Sequence, residues 1–243
     1  MKRAVFLVLL AIGILWRLPA DLVGAGLQRL SVGQVRLGAA EGTVWSGRGR
    51  LDVLDPVAQT WRLWRDIDWS FWPEGLLRAR LTWQAHLGVA EASRLEVGLA
   101  GWRGAPLNIG GSVREMALVI SSDLAKLGWQ GDFSVNGVDF ACDWQRACGG
   151  NLTVRWTGAG CDVLPGATFG DYEATVLGDG GGLAISWHTL RGNVRIEGKG
   201  LWVPGGQVHF TGVVDGDPAL LQRLPAVAGN SIRFVADHWA VSF

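Results

Sequence analysis

The sequence is poor in the side chains that carry most enzyme chemistry. Its 243 residues include 4 histidines, 3 cysteines and 1 tyrosine. The histidines (His86, His188, His209 and His238) lie far apart, and no H-E-x-x-H or Cys/His grouping has the ligand spacing of a zinc site. A P-loop, a strand-to-helix G-x-G-x-x-G and a G-x-S-x-G elbow are also missing. We therefore predict no catalytic residue, metal site or cofactor, and expect the protein not to be an enzyme.

The sequence also has no excess of positive charge. Lys and Arg together number 22, as do Asp and Glu, so the formal net charge is zero. A nucleic-acid-binding domain needs a basic surface to attract phosphates, and we therefore expect no nucleic-acid partner. Hydrophobic residues make up 49% of the chain and charged residues 18%. This composition supplies a core and excludes a disordered chain.

Two acidic segments resemble functional patterns, but a structural interpretation is favoured for both. Asp66 and Asp68 alternate on a predicted strand, so they form a candidate carboxylate pair for a glycan enzyme. A solvated strand face is the favoured interpretation. Asp215-Gly216-Asp217-Pro218 offers oxygen ligands but is shorter than a calcium loop. It is better explained as a turn that leads into a helix.

The first residues carry the signal of an exported protein. Lys2 and Arg3 precede an apolar run, Ala4–Trp16, which as a helix spans about 20 Å, less than the ~30 Å hydrocarbon core of a bilayer. One interpretation is a cleaved signal peptide, with Val23-Gly24-Ala25 as the cleavage site. The favoured one is an uncleaved anchor, in which Arg17 snorkels and Leu18–Val23 extend the buried part. We thus predict a cytoplasmic tip and single transmembrane signal-anchor at 1–23 and an exported domain at 24–243.

The cysteines fit an oxidising compartment. Cys142 and Cys148 lie close together in the sequence, and Cys161 stands apart. In an exported domain a short-loop disulfide between Cys142 and Cys148 is the favoured interpretation, and three unpaired thiols are the alternative.

From residue 31 onward the hydrophobic pattern has a period of two. Alternating segments on either side of Pro73-Glu74-Gly75 predict a β-hairpin over 61–83, and Asp179–Gly182 predicts another hairpin turn. The alternating pattern assigns 110–120 to a strand as well. We expect about a dozen short antiparallel strands.

Short helices are predicted at 18–30, at Ser121–Leu127 and at Pro218–Leu224. The predicted fold is therefore mainly β. An N-terminal membrane helix precedes one curved antiparallel β-sheet meander domain with a few short helices.

Tryptophan and glycine are unusually abundant. The chain has 14 tryptophans and 36 glycines. Gly42 and Gly47 flank Trp45 and allow a bulge or a tight bend there. Buried tryptophans fill the core of a curved sheet efficiently, and core packing is the favoured role. A row of tryptophans lining a groove for a lipid or an apolar peptide is the alternative.

The order of these motifs resembles protein N of the bacterial type II secretion system. The resemblance rests on "LPADLV", "GTVWSGRGRL", "DWSFWPEGLLRARL", "GGNLTVRWTGA", "TFGDYEATVL" and "GDPALLQRLPAVAG". Its most specific positions are Gly42, Trp45, Gly47, Trp69 and Pro73.

The resemblance implies a single-pass inner-membrane protein of a Gram-negative bacterium with its C-terminal domain in the periplasm. It also implies a non-enzymatic subunit of the apparatus that exports folded proteins from the periplasm across the outer membrane. Other secretion subunits and the inner membrane would be its partners. The same motifs also resemble AsmA-like envelope proteins, which implies a lipid-handling β-groove as the alternative function.

Overall fold

The computed structural model describes residues 2–55, 58–88, 91–120, 125–204, 208–225, 232–235 and 238–242. Within this part the chain is mainly β, as predicted, and forms one open antiparallel sheet of 16 strands. The first eight strands are β1 Val35–Gly42, β2 Ser46–Asp55, β3 Thr60–Trp72, β4 Arg80–Leu87, β5 Ser93–Gly98, β6 Gly101–Gly104, β7 Leu107–Ser112 and β8 Trp129–Gly137. The others are β9 Phe140–Asp143, β10 Cys148–Cys161, β11 Thr168–Asp179, β12 Leu183–Gly192, β13 Val194–Trp202, β14 Val208–Gly216, β15 Ile232–Val235 and β16 His238–Ser242.

The strands follow one another as a meander. Most neighbours in sequence are neighbours in the sheet, with β16 between β14 and β15. Two strand positions are each built from two short strands. The long strand β10 pairs with β9 at Cys148 and with β8 from Leu152 onward, so β8 and β9 share one position. In the same way β6 pairs with β9 and β7 pairs with β8.

The helices are short. They are α1 Lys2–Trp16, α2 Asp21–Leu30, α3 Val113–Ile120, α4 Pro218–Leu221 and a 3₁₀ helix, Pro73–Arg78. The hairpin predicted over 61–83 is therefore present, with the 3₁₀ helix in its turn. Helices also form within the predicted segments 18–30 and Pro218–Leu224. The Asp217 carboxylate accepts a hydrogen bond from the Ala219 amide and caps α4.

The strand predicted over 110–120 is wrong from Val113 onward. β7 ends at Ser112 and α3 follows at once. Val113, Met116, Ala117 and Ile120 repeat at helical spacing, and the run of Arg, Glu, Met, Ala and Leu favours a helix. Ala117 is accordingly buried. Of the helix predicted over Ser121–Leu127, residues 121–124 lie outside the described residues, while Ala125 and Lys126 are helical.

The N-terminal segment differs from the long anchor that we predicted. Helix α1 ends at Trp16, and α2 starts at Asp21 and contacts β1. Between them Pro19 bridges to Thr43, and the Ala20 amide donates to the Gly42 carbonyl (3.2 Å), so Leu18–Val23 does not continue α1. Among the described residues, no helix is both long and apolar enough to cross a membrane.

The sheet has one apolar face and one charged face. Residues directly opposite on paired strands point to the same side, as do alternate residues along a strand. This register places more than half of the 14 tryptophans on the side that we call the inner face: Trp69, Trp83, Trp102, Trp129, Trp156, Trp187, Trp202 and Trp239. The outer face carries ion pairs between neighbouring strands, such as Arg155–Glu173 (2.5 Å) and Arg195–Asp215 (2.8 Å).

The two ends of the sheet differ. At one end, which we call the α3 end, helices close the inner face. Leu118 of α3 packs against Val35, Leu51 and Val53, and Leu221 and Leu224 join the main core around Tyr172. The opposite end, which we call the α1 end, carries the β1–β2, β3–β4, β5–β6 and β9–β10 turns.

The molecule exposes more surface than a compact domain does. Its accessible area is 14698 Å² for 26.1 kDa, roughly 1.4 times the value expected for a compact monomer of this mass. An open sheet with a projecting N-terminal helix accounts for the difference.

Candidate functional site

The β1–β2 turn is held by indole hydrogen bonds from two other strands. The Trp69 Nε1–H donates to the carbonyl oxygens of Thr43 (3.1 Å) and Val44 (3.2 Å). The Trp83 Nε1–H donates to the Val44 carbonyl (3.1 Å). These bonds satisfy the polar edges of the buried Trp69 indole and the half-buried Trp83 indole, and they fix the turn above β3 and β4.

Glycine is required on both sides of this turn. Gly42 has a φ of +95°, and a β-carbon there would stand 2.4 Å from the Ser46 carbonyl oxygen. At Gly47 a β-carbon would stand 2.6 Å from the Glu41 carbonyl oxygen. Real β-carbons do not approach so closely, so the chain can pass here only without side chains.

Trp45 connects the turn to the N-terminal helix. Its ring stacks on Trp83 at 6.3 Å and on Trp16 of α1 at 6.0 Å, and it meets Phe71 edge to face at 5.0 Å. Its Nε1–H donates to the Leu15 carbonyl at the end of α1 (2.8 Å). The turn therefore holds the C-terminal end of α1 against the sheet.

The structure brings four of the five motif positions into this one site. Gly42, Trp45, Gly47 and Trp69 all belong to it, and Pro73 begins the 3₁₀ helix just after β3. The sequence prediction missed Trp83 and Leu15. The parity of β4 would have placed Trp83 on the face of Trp69, but the contact with Leu15 has no sequence signal.

Helix α1 projects from this site. Each α1 side chain that the structure describes is exposed, including Phe6, Leu7 and Leu10. Exposing a large apolar side chain to water costs about 1.5–3 kcal/mol relative to its burial. The helix surface is thus suited to an apolar environment.

The α1 end also carries a cleft of about 460 Å³ beside the cysteines. It is lined by Arg78, Ala79, Leu99, Trp102, Cys142 and Asp143, among others. Cys142 and Cys148 are opposite each other on β9 and β10, and their Sγ atoms are joined at 2.06 Å. Cys161 is free and buried. The Trp144 Nε1–H donates to the Leu99 carbonyl (2.9 Å), which links the β9–β10 turn to the β5–β6 turn.

On the inner face an aromatic row crosses four neighbouring strands. Trp129, Trp156, Tyr172 and Trp187 follow one another with ring centroids 5.4, 5.8 and 5.9 Å apart. The Tyr172 hydroxyl donates to the Val194 carbonyl (2.9 Å). Burial raises the pKa of the Tyr172 phenol, and the neighbouring Asp171 carboxylate raises it further. Tyr172 therefore stays a neutral donor inside the core.

The acidic candidates do not lie in a shared cleft. Asp66 and Asp68 are exposed, and Asp68 pairs with His86 Nδ1 (2.9 Å) on the outer face. Asp215 pairs with Arg195, while Asp217 caps α4. Among the described residues, no three His, Cys, Asp or Glu side chains are grouped to hold a metal ion.

Comparison with protein families identifies the family to which this chain belongs. A family model described as type II secretion system (T2SS), protein N, matches residues 33–231, most of the chain. The chain belongs to the type II secretion system protein N family. The family assignment supports a role as a type II secretion subunit in protein transport. No curated protein and no solved structure gives a significant match.

The matched part of this protein N chain contains the whole β1–β2 turn, Trp69 and Pro73. The resemblance drawn from the sequence is thus confirmed. Helix α1, which the turn holds, precedes the matched residues.

Proposed function

We propose that this protein is a non-enzymatic interaction subunit of a type II secretion system that contributes to the export of folded proteins from the periplasm across the outer membrane. The family match over residues 33–231 is the observation that carries the proposal. The geometry supports it, because the candidate site, the β1–β2 turn, consists of contacts that hold helix α1 against the sheet. Partner binding, and not chemistry on a substrate, is what such an architecture provides.

In this proposal α1 lies in the inner membrane and the β domain lies in the periplasm. Lys2 and Arg3 precede the apolar helix, and positive charge favours the cytoplasmic side of a membrane. The described α1 side chains are exposed, so the bilayer would cover apolar surface that the sheet leaves bare.

We place the contact with a partner subunit at the β15 edge of the sheet. One edge strand, β1, is packed by α2. The other, β15, pairs with β16, and in the described part of the chain no strand pairs with its second edge. Phe234 and Val235 on β15 are exposed. An edge strand with exposed apolar side chains favours the addition of an extended segment from another chain.

Site-specific cross-linking in cells that contain the apparatus tests this contact. Val235→Cys and Leu190→Cys give a matched pair, because the two side chains are 49% and 48% exposed. Leu190 lies on the central strand β12. A thiol-directed photo-cross-linker should attach a secretion subunit to position 235 and not to position 190. Equal adducts at both positions, or none at either, would overturn the assignment of the edge.

A second candidate, an AsmA-like lipid-handling groove, is favoured by one observation. The inner face is apolar along the sheet and half-buried at Leu152, Val176 and Ile185. An apolar ligand would cover this surface. Mass spectrometry of the purified chain distinguishes the candidates. Stoichiometric lipid that is absent from an Ile185→Asp variant but present in an Ala184→Asp variant on the opposite face would favour the groove. A lipid-free protein that binds secretion subunits would exclude it.

A further inference from the structure

We propose that the α1 end of the sheet is a membrane-contact rim that rests on the anionic surface of the bilayer into which α1 inserts. The rim consists of the 3₁₀ helix Pro73–Arg78, the β5–β6 turn and the β9–β10 turn. The inference rests on the proposed insertion of α1 and adds a second, separate lipid contact made by the β domain.

Large apolar side chains are exposed at the tips of the rim. The most exposed large apolar side chains of the β domain include Leu77 at 93% and Leu99 at 92%, and both lie on the rim. Trp144, on the third turn, is 60% exposed and is hydrogen-bonded through its Nε1–H to Leu99. Tryptophan and leucine at the tips of adjacent turns suit the boundary between headgroups and acyl chains.

The rim is continuous with the site that holds α1. Trp16 at the end of α1 stacks on Trp45, and Trp45 contacts Phe71 near the end of β3. The chain then enters the 3₁₀ helix at Pro73, two residues later. The rim and the point at which α1 leaves the sheet are therefore on the same end of the molecule, and any bilayer that receives α1 lies next to the rim.

Helix α1 is short for a membrane-spanning helix. Helix α1 has 15 residues and is about 22 Å long, whereas a hydrocarbon core measures about 30 Å. Such a mismatch is met by local thinning of the bilayer or by drawing flanking residues into the interface. A short helix thus pulls the attached end of the domain onto the lipid surface.

The exposed charges of this end are mostly positive. The rim and the α1–α2 connection carry Arg17, Arg78 and Arg146 against one exposed acidic residue, Glu74, while the half-buried Asp143 accepts hydrogen bonds inside the β9–β10 turn. The three arginines are exposed as well. An arginine near an anionic leaflet is attracted to it, so the excess of positive charge favours anionic headgroups over a neutral surface.

Fluorophore depth measurements on the full chain test the rim. Single cysteines at Leu77→Cys and Leu99→Cys would be labelled with an environment-sensitive fluorophore (NBD), with Leu190→Cys as the outer-face control and Leu10→Cys as a reporter of α1. Labelling is selective because Cys142 and Cys148 are joined and Cys161 is buried. The labelled chains would be reconstituted into phosphatidylethanolamine/phosphatidylglycerol vesicles and into phosphatidylcholine vesicles.

We expect a blue-shifted, several-fold brighter signal at positions 77 and 99 in the anionic vesicles, quenched by spin-labelled lipid, and a weaker one in phosphatidylcholine. Position 190 should stay water-like and position 10 should report acyl chains in both. If position 10 reports acyl chains while positions 77 and 99 stay in water, the proposed rim contact is wrong and the proposed insertion of α1 is supported. If position 10 also stays in water, the proposed insertion of α1 into the bilayer is wrong, and the rim proposal that rests on it is wrong as well. A rim signal that needs an added secretion subunit, or that ignores lipid charge, also overturns the proposal.

Discussion

The ring of Trp69 lies directly against the backbone of Gly47. A β-carbon added at Gly47 would stand 2.5 Å from Cζ2 of that ring, and the same indole donates to the Thr43 and Val44 carbonyls. Gly47 and Trp69 of the family-like motif therefore pack directly against each other.

Gly47→Ala should destabilise the protein because the new methyl group displaces Trp69 from the turn. Overpacking of this kind costs about 1–3 kcal/mol. The control is Gly26→Ala in α2, where a β-carbon meets no atom within 4 Å and where alanine favours the helix by up to about 1 kcal/mol. Urea denaturation of both variants checks the prediction. An unchanged midpoint for Gly47→Ala would contradict it.

The ionisation of the single tyrosine, Tyr172, measures whether its phenol is buried in the core. The Tyr172 pKa is raised in the folded protein, so the unfolded chain loses this proton first as the pH increases above about 10. The stability that the neutral phenol contributes is complete below that pH and is lost as the pH rises through the folded-state pKa. Because the chain has only 1 tyrosine, tyrosinate absorbance reports Tyr172 alone.

We expect no tyrosinate signal from the native protein at about pH 11, and a nearly complete signal from the denatured protein. Tyr172→Phe should lower the unfolding free energy by about 1 kcal/mol through the lost hydrogen bond, with a flatter decline above pH 10. Native titration at the ordinary tyrosine pKa would show that the phenol is not buried as described.

The cysteine pair should contribute measurably to stability. A cross-link over a sequence separation of 6 restrains the unfolded chain by about 2 kcal/mol in the chain-entropy model. The double variant Cys142→Ser/Cys148→Ser should therefore unfold at lower denaturant. Maleimide should label the native, unreduced wild type at no cysteine, because Cys161 is 1% exposed. Two reactive thiols in that sample would contradict the pairing.

The outer-face aspartates should be dispensable for secretion. Asp68 pairs with His86 in the open, and its side chain is 65% exposed, as expected for a solvated strand face. Asp66→Asn/Asp68→Asn should secrete a type II substrate at the wild-type level, with the deletion strain as the reference. A strong loss of secretion without loss of protein would revive a catalytic role for this pair.

The parts of the fold set by local patterns were predictable, and those set by long-range packing were not. Alternation and turn residues predicted the hairpin at 61–83 and the turn at Asp179–Gly182, where the Asp179 carboxylate accepts from the Gly181 and Gly182 amides. Residues 113–120 were assigned to a strand because apolar residues at helical spacing also fit a short alternating run. The helical spacing of the apolar residues favours α3, and the burial of Ala117 and the packing of Leu118 agree with it.

The candidate site shows the same division. The bend of the β1–β2 turn could be predicted from the sequence, because Gly42 and Gly47 flank Trp45. The contacts of Trp45 with Leu15 and Trp16 could not be predicted, because they join segments that are about 30 residues apart in the sequence. The prediction that α1 continues through Leu18–Val23 was wrong because it did not take these long-range contacts into account. The backbone at Pro19 and Ala20 bonds to the turn and not to α1.

The most direct measurement of the central claim is the amount of a folded type II substrate that reaches the medium when this chain is deleted and then restored. Our account predicts that deletion leaves the substrate in the periplasm, and that the wild-type chain restores its release while co-purifying with secretion subunits. Normal release from the deletion strain, with no association between the chain and the apparatus, would contradict it.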